Sequence, residues 1–147
     1  MKALLLAVPL LSAACTAPAP VNSNAPAAVV RPVTAADPLE GRWTITAING
    51  GQVGRGLHLE LGAVEARAEL GCNSLRTGGW SRSGDRLFLK EPLGITERGC
   101  EGPVMQLERQ AFAVLRAAMV MELTEPNRLR LVNEHGTIDL VKDGVPK

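Results

Sequence analysis

The stretch that decides the fold runs from Gly71 to Cys100 and reads GCNSLRTGGWSRSGDRLFLKEPLGITERGC. It opens with Gly71-Cys72-Asn73, and a second cysteine closes it. On both sides lie short segments in which apolar and polar residues alternate, a pattern typical of β-strands with one buried face. We expect this stretch to be the covalently closed middle of one small domain.

Cys72 and Cys100 are predicted to form a structural disulfide. Such a bond would close a loop of about 27 residues and stabilise the fold by roughly 3–4 kcal/mol. The alternative is a redox-active pair. Redox pairs usually stand close together in sequence and beside a cation, and here only Arg98 is nearby while the spacing is wide. The pattern therefore favours the structural bond.

Outward from this stretch, alternation predicts about eight short strands, of which the one containing Trp43, Ile45 and Ala47 is typical. Each strand is apolar on one face only, so the set must curl or stack to bury that face. We therefore predict a mainly β domain: a small antiparallel β-barrel or half-barrel with one helix packed over an end or edge of the sheet.

The single predicted helix begins at Pro103, a residue well suited to a first helical turn. Glu108 and Arg109 are expected off the centre of its apolar face, where a lone Glu usually forms a surface ion pair or caps a backbone amide. Apolar residues at three- and four-residue spacing define that face: Val104, Leu107, Ala111, Leu115 and Ala118, with Phe112 and Met119 beside them.

The N-terminus has the form of a targeting signal. Met1-Lys2 precedes an apolar run from Ala3 to Leu11 that is too short to span a bilayer, and Ser12-Ala13-Ala14-Cys15 follows. This ending resembles a bacterial lipobox, which implies a signal peptide over residues 1–14 and lipidation of Cys15. Thr16 after the cysteine resembles Gram-negative lipoproteins retained in the outer membrane, facing the periplasm. The alternative is an ordinary secretory signal and a soluble periplasmic protein.

Residues 15–36 are rich in Pro and Ala and show no hydrophobic period, which predicts a tether without secondary structure. The folded domain is then expected over residues 37–143. Lys and Arg number 16 against 15 Asp and Glu, a net charge of +1, and they are interleaved rather than clustered. Nucleic acid is therefore not an expected partner, and we expect a monomer.

Motifs of catalysis and metal binding are missing from the sequence. There is no Gly-x-Ser-x-Gly elbow, no His-Glu-x-x-His and no phosphate-binding loop. His58 and His135 could in principle join the two cysteines around zinc, but their spacing matches no ligand motif. We predict no enzyme activity, no cofactor and no metal site.

A set of landmarks follows in a fixed order along the chain: Leu39, Gly41, Trp43, Gly71, Cys72, Asn73, Gly79, Trp80, Thr96, Cys100, Glu108, Phe112 and Leu115. Together they resemble the META domain of HslJ-like heat-shock lipoproteins. The resemblance covers roughly residues 37–142 and implies a lipocalin-like antiparallel barrel with one helix. It implies no established catalytic activity, and an association with envelope stress, motility or antibiotic tolerance. Trp80 stands where that family more often has Tyr, and Gly99 where it often has a larger residue.

The sequence thus predicts a non-enzymatic, lipid-anchored envelope protein that acts as a structural or protein-interaction module. The surface expected to meet a partner lies around Asn73, Arg76 and Trp80, since an exposed Trp is a good anchor. Trp80 could equally be core. Asn73 and Thr96 are expected to bond to loop backbone rather than to a substrate.

Two other functions remain open. Barrels of about eight strands can hold one small ligand, so the domain could carry a lipid or another small hydrophobic molecule. The small inward-facing residues Ala66 and Ala68 favour some space inside. An inhibitor of a foreign hydrolase in the periplasm is a further alternative, on analogy of fold alone.

Overall fold

The computed structural model describes residues 30–125 and 127–144. The predicted signal peptide, Cys15 and most of the predicted tether lie outside these residues. The described part contains one helix, α1 (Pro103–Leu115), and twelve strands. The strands are β1 (Arg31–Pro32), β2 (Gly41–Ile48), β3 (Gly51–Gln52), β4 (His58–Leu61), β5 (Ala66–Glu69), β6 (Ser74–Thr77), β7 (Trp80–Ser83), β8 (Arg86–Leu89), β9 (Leu93–Ile95), β10 (Met119–Glu125), β11 (Arg128–Asn133) and β12 (Gly136–Lys142).

All paired strands are antiparallel, in the order β7-β8-β10-β11-β12-β2-β4-β5-β6-β9, with β1 added to β10 and β3 added to β2. Strand β6 lies near one end of this order and β7 lies at the other end. Only Gly78 and Gly79 connect them along the chain. The sheet must therefore curl until its two ends come together, and the predicted antiparallel half-barrel with a single helix is confirmed.

The expected count of about eight strands is too low. Strands β1, β3 and β9 have two or three residues each, too few to show alternation, and β6 falls inside the loop that the two cysteines were expected to close. In β6 only Leu75 is a large apolar residue, so the sequence carries no clear period of two there. These four strands extend the sheet without changing its class.

Packed side chains fill the inside of the half-barrel. Ala66 and Ala68 are 1% and 0% exposed. A void large enough for a water molecule beside them would leave part of their surface accessible, so neighbouring atoms occupy the space that these small residues leave. The largest fully buried side chains are Trp43, Ile45, Ile48, Leu59, Leu61, Leu70, Leu75, Leu87, Leu115, Met119, Met121 and Leu129.

Helix α1 packs against strands β2, β11 and β12. Its end is tied to the sheet, because the Asn133 side-chain Nδ2 donates to the Val114 carbonyl at 2.8 Å. The helix is shorter than predicted, since Met119 already belongs to β10. Its buried side is also rotated from the predicted apolar face: Glu108 is 1% exposed, whereas Val104 is only half-buried. No helix of the described residues is both long and apolar enough to cross a membrane.

The folded part begins earlier than predicted. We call residues 31–39 the N-terminal strap. Its strand β1 pairs with β10, and the Val33 amide donates to the Met121 carbonyl at 3.3 Å while the Val33 side chain is 3% exposed. The predicted tether is therefore wrong for its last residues, because Val33 gains burial in the core that a solvated tether would not give it.

Asp37 holds the strap in a turn. Its carboxylate accepts bonds from the Arg31 guanidinium at 2.7 and 2.9 Å and from the Thr34 amide at 2.7 Å. Hydrogen bonds from Arg31 and Thr34 keep the pKa of Asp37 well below its usual range. The Arg82 guanidinium donates to the Thr34 and Asp37 carbonyls and thereby joins the strap to β7.

Candidate functional site

The polar centre of the domain is a carboxylate that reaches from helix α1 to the turn between β5 and β6. The Glu108 Oε1 accepts the backbone N–H groups of Cys72 and Asn73, both at 2.5 Å. The Glu108 Oε2 accepts the Asn73 Nδ2 at 2.9 Å. Both oxygens of a residue that is 1% exposed are therefore bonded. We call this contact between Glu108 and residues 72–73 the buried clamp.

Asn73 extends the clamp to a third segment. Its Oδ1 accepts the Arg98 amide at 2.7 Å and the Thr96 hydroxyl at 3.1 Å, and its Nδ2 also lies 3.3 Å from the Arg98 carbonyl. The Thr96 Oγ1 in turn accepts the Ser74 amide at 3.0 Å. Asn73 is 5% exposed, so it is not free to meet a partner, and it must be removed from the predicted partner surface.

Gly71 allows the turn to approach the helix. Its φ is +114°, a backbone conformation that favours glycine. A Cβ at this position would lie 2.7 Å from the Val104 Cγ2 and 3.8 Å from the Glu108 Oε1. A larger residue here would therefore clash with Val104, and either the turn or the Val104 side chain would have to shift.

The predicted disulfide is confirmed. Cys72 and Cys100 are bonded, with their Cα atoms 6.3 Å apart, within the usual range for a bridge. The bond ties the clamped turn to the loop that precedes α1. Neither sulfur is then a free thiolate that could ligate a metal, and His58 contacts the Arg42 side chain and the Gly56 carbonyl instead. Within residues 30–125 and 127–144, no three His, Cys, Asp or Glu side chains gather as ligands.

Beside the clamp lies an open cleft of about 320 Å³, which we call the loop–helix cleft. One wall is the loop of residues 95–99, and the other is helix α1. The half-buried side chains of Ile95, Met105 and Phe112 line it, and the exposed residues Glu97, Arg98 and Arg109 lie on its walls. Asn73 and Glu108 form its base.

Trp80 does not line the loop–helix cleft. Its ring is half-buried and packs against the core, and its Nε1 donates to the Gly62 carbonyl at 2.7 Å. One side of Trp80 lines a second cleft, of about 300 Å³, which we call the Trp80 cleft; its other lining residues are the strap residues 37–39, Glu40 and Arg82. Trp80 is thus in part core and in part surface. Arg76 is exposed on β6, and the structure does not bring Asn73, Arg76 and Trp80 together as one surface.

Gly79 has a local role next to Trp80. A Cβ at Gly79 would lie 2.8 Å from the Val64 carbonyl oxygen, so the chain passes too close to the β4–β5 turn for a larger residue. The Thr77 hydroxyl accepts the Gly79 amide at 2.9 Å and donates to the Gly79 carbonyl. These bonds fix the link between the two ends of the curled sheet.

Reasoning from the sequence named the residues of the clamp but not their geometry. The loop–helix cleft was missed altogether, because its lining residues are separated in sequence and only the fold brings Ile95 next to Met105 and Phe112. One signal was present in the sequence. Phe112 lies four residues after Glu108, so the two side chains are neighbours on one face of the helix.

The fold and the clamp define a small antiparallel half-barrel domain with one helix, closed by a disulfide. The META domain model matches residues 36–143, and the chain therefore belongs to the META domain family. Most of the described domain lies within this match.

Solved structures show the same fold. One protein solved by NMR has a TM-score of 0.60 and 19% sequence identity, over 70% of this chain and 89% of that chain. A protein from Burkholderia xenovorans, also solved by NMR, has a TM-score of 0.57 and 18% identity, over 72% of this chain and 83% of that chain. The comparison with curated proteins gave no match.

Proposed function

We propose that this protein is a non-enzymatic module of the bacterial cell envelope, anchored by a lipid on Cys15 to the periplasmic face of the outer membrane. The observation that carries the proposal is the buried clamp. Glu108 and Asn73, the buried polar side chains of the family motif, use their polar atoms to hold the domain's own loop to its helix. The motif residues thereby stabilise the fold, and we propose that other, exposed residues contact a partner.

Membership of the META family supports a role of this coarse kind. The finer role is that of a structural or protein-interaction module in envelope stress or antibiotic tolerance. The proposed partner surface centres on Trp80 and the cleft that it shares with the strap, because a half-exposed Trp ring beside aliphatic atoms is a typical anchor. Arg76 is exposed on β6 but does not line that cleft, so it is left out of the proposed surface.

The anchor is tested by cell fractionation. The variant Cys15→Ser is compared with the wild type and with Ser23→Ala, a matched change in the predicted tether that leaves the cysteine in place. We expect wild type and Ser23→Ala to sediment with outer membranes and Cys15→Ser to appear in the soluble periplasmic fraction. A Cys15→Ser protein that still sediments with outer membranes would contradict the proposal.

The alternative of a ligand carried inside the barrel has no space to support it, because Ala66, Ala68 and the surrounding aliphatic residues are packed. The Trp80 cleft and the loop–helix cleft both lie at the surface of the described part. Of these, the loop–helix cleft combines apolar lining with free cationic groups. It supports a second function, the binding of a small amphiphile.

A further inference from the structure

We propose that the loop–helix cleft binds the acyl chain of a single-chain anionic amphiphile, a free fatty acid being the simplest example. The hydrocarbon chain would lie on Ile95, Met105 and Phe112, and the anionic head group would meet Arg98 and Arg109. No residue that lines this site also lines the Trp80 cleft, and the proposal does not depend on the lipid anchor.

The cleft has the size of a small binding site. Its volume of about 320 Å³ lies near the lower end of the range for ligand pockets, roughly 300–1,000 Å³. A single short acyl chain fits a space of this size. Ile95, Met105 and Phe112 are half-buried, so apolar surface is still open to water there, and covering it is favourable. Methionine also adapts readily to ligands of varied shape.

The charges on the cleft walls complement an anion. Arg98 stands on the loop wall and Arg109 on the helix wall. Both are exposed, and in the part of the chain that the structure describes neither forms an ion pair, whereas Arg31, Arg42, Arg67, Arg128 and Arg130 all do. Glu97 is the one exposed carboxylate on the lining and opposes an anion. The exposed lining thus carries a net charge of +1, and Glu108 at the base adds a second carboxylate, whose oxygens are already bonded to N–H donors of the turn.

The base of the cleft favours hydrocarbon over peptide. Both Glu108 oxygens and both polar atoms of the Asn73 amide already bond inside the protein. They offer few hydrogen bonds to an occupant. A peptide would bring amide groups onto this base and lose their bonds to water, which is costly, whereas an acyl chain brings none.

The buried clamp holds the two walls in place. Through Asn73, it bonds the backbone of Arg98 to helix α1, and the disulfide fixes the same loop at Cys100. The cleft is therefore formed before a ligand arrives, so little ordering is required on binding.

The test uses decanoate below its micelle concentration, with decan-1-ol as an uncharged probe of equal chain length. The protein is the chain from residue 15 onward, secreted with Cys15→Ser and purified without detergent. Binding is measured by titration calorimetry and located by backbone amide NMR shifts. We expect decanoate to shift amides of residues 95–99 and 105–112 and to bind more tightly than decan-1-ol.

Charge variants on the cleft walls give the sharpest outcome because these side chains are exposed and should leave the fold intact. Arg98→Gln and Arg109→Gln should each weaken decanoate binding roughly two- to fivefold, and Glu97→Gln should strengthen it by a similar factor. Decan-1-ol binding should change little in all three. Arg116→Gln removes an exposed arginine just beyond the helix and outside the cleft, and should leave decanoate binding unchanged.

Three results would overturn the proposal: no decanoate binding, shifts confined to residues outside the cleft, or the same effect in Arg116→Gln as in Arg98→Gln. The free-acid tripeptide Ala-Ala-Phe serves as a competing probe, and tighter binding of it than of decanoate would assign the cleft to peptide instead. None of these binding results changes the fractionation result for Cys15, so the cleft proposal and the anchor proposal are tested independently.

Discussion

Asn73 and Glu108 are 35 residues apart in sequence and are joined by two hydrogen bonds, one from the Asn73 backbone N–H and one from its side-chain Nδ2. The first joins backbone to carboxylate at 2.5 Å, and the second joins the two side chains at 2.9 Å. A buried carboxylate is costly unless its oxygens are bonded, and here N–H donors of the turn compensate for the lost water. The loop and the helix are therefore folded as one unit.

Glu108→Gln should destabilise the domain by about 1–3 kcal/mol, because the new NH₂ group would face N–H donors and leave a buried donor unpaired. Urea unfolding measures the change. Gln106→Ala, an exposed position on the same helix, is the control and should stay within about 0.5 kcal/mol of wild type. A Glu108→Gln protein as stable as the control would show that the clamp does not contribute to the fold.

Gly71→Ala should cost about 1–3 kcal/mol, since it combines an unfavourable positive φ with a Cβ only 2.7 Å from Val104. Gly78→Ala is the matched control, because nothing lies within 4 Å of a Cβ at Gly78. Thermal unfolding of both proteins gives the comparison. Equal melting temperatures for the two variants would refute the close approach of the turn to the helix.

Reduction of the Cys72–Cys100 disulfide should lower the free energy of unfolding by roughly 3–4 kcal/mol, as the chain-entropy model gives for a loop of this length. The double variant Cys72→Ser, Cys100→Ser should behave like the reduced protein. Thiol titration under denaturing conditions checks the bond itself in the Cys15→Ser background: the oxidised chain should show no free thiol, and two would contradict the structure.

Stability should fall in acid through Asp37. Hydrogen bonds from Arg31 and Thr34 lower the pKa of Asp37 in the folded protein, so the folded state binds a proton less readily than the unfolded chain. This contribution is complete above the unfolded pKa of about 3.9 and is lost as the pH falls from there towards the folded value.

The Asp37 effect is measured as the free energy of unfolding against pH over that acid window. Asp37→Asn should be less stable than wild type at neutral pH and should lose less stability on acidification. Glu101→Gln, which changes an exposed carboxylate, serves as the comparison. Parallel curves for wild type and Asp37→Asn would exclude a role for the strap's ion pair.

The half-barrel was predictable because each long strand alternates clearly, as Trp43, Ile45 and Ala47 do. The strap was not, because Val33 sits among prolines and alanines with no period around it, and only pairing with β10 reveals that it is core. A fragment begun at residue 37 would lack Arg31 and Val33, and so would lose the ion pair with Asp37 and the burial of Val33 in the core.

The residues of the candidate site were predictable from the sequence, but their burial and contacts were not. The motif identified Gly71, Asn73 and Glu108 as residues of one family pattern, but a charged residue on a helix is expected to face water. The burial of Glu108 depends on donors that come from a turn 35 residues away, and the helix's own sequence cannot show them. The same limit hid the loop–helix cleft, which exists only where loop and helix meet.

Amide hydrogen exchange at Cys72 and Asn73 tests the central claim, that the motif acts as a structural clamp. Both amides lie in a turn, where exchange is normally fast. If both amides donate to Glu108, they should exchange only when the whole domain opens, at rates that match core amides of β2. The amide of the exposed Gly78 should exchange quickly. In Glu108→Gln, the protection of the Cys72 and Asn73 amides should fall sharply. Exchange of Cys72 and Asn73 as fast as that of Gly78 in the wild type would contradict the clamp.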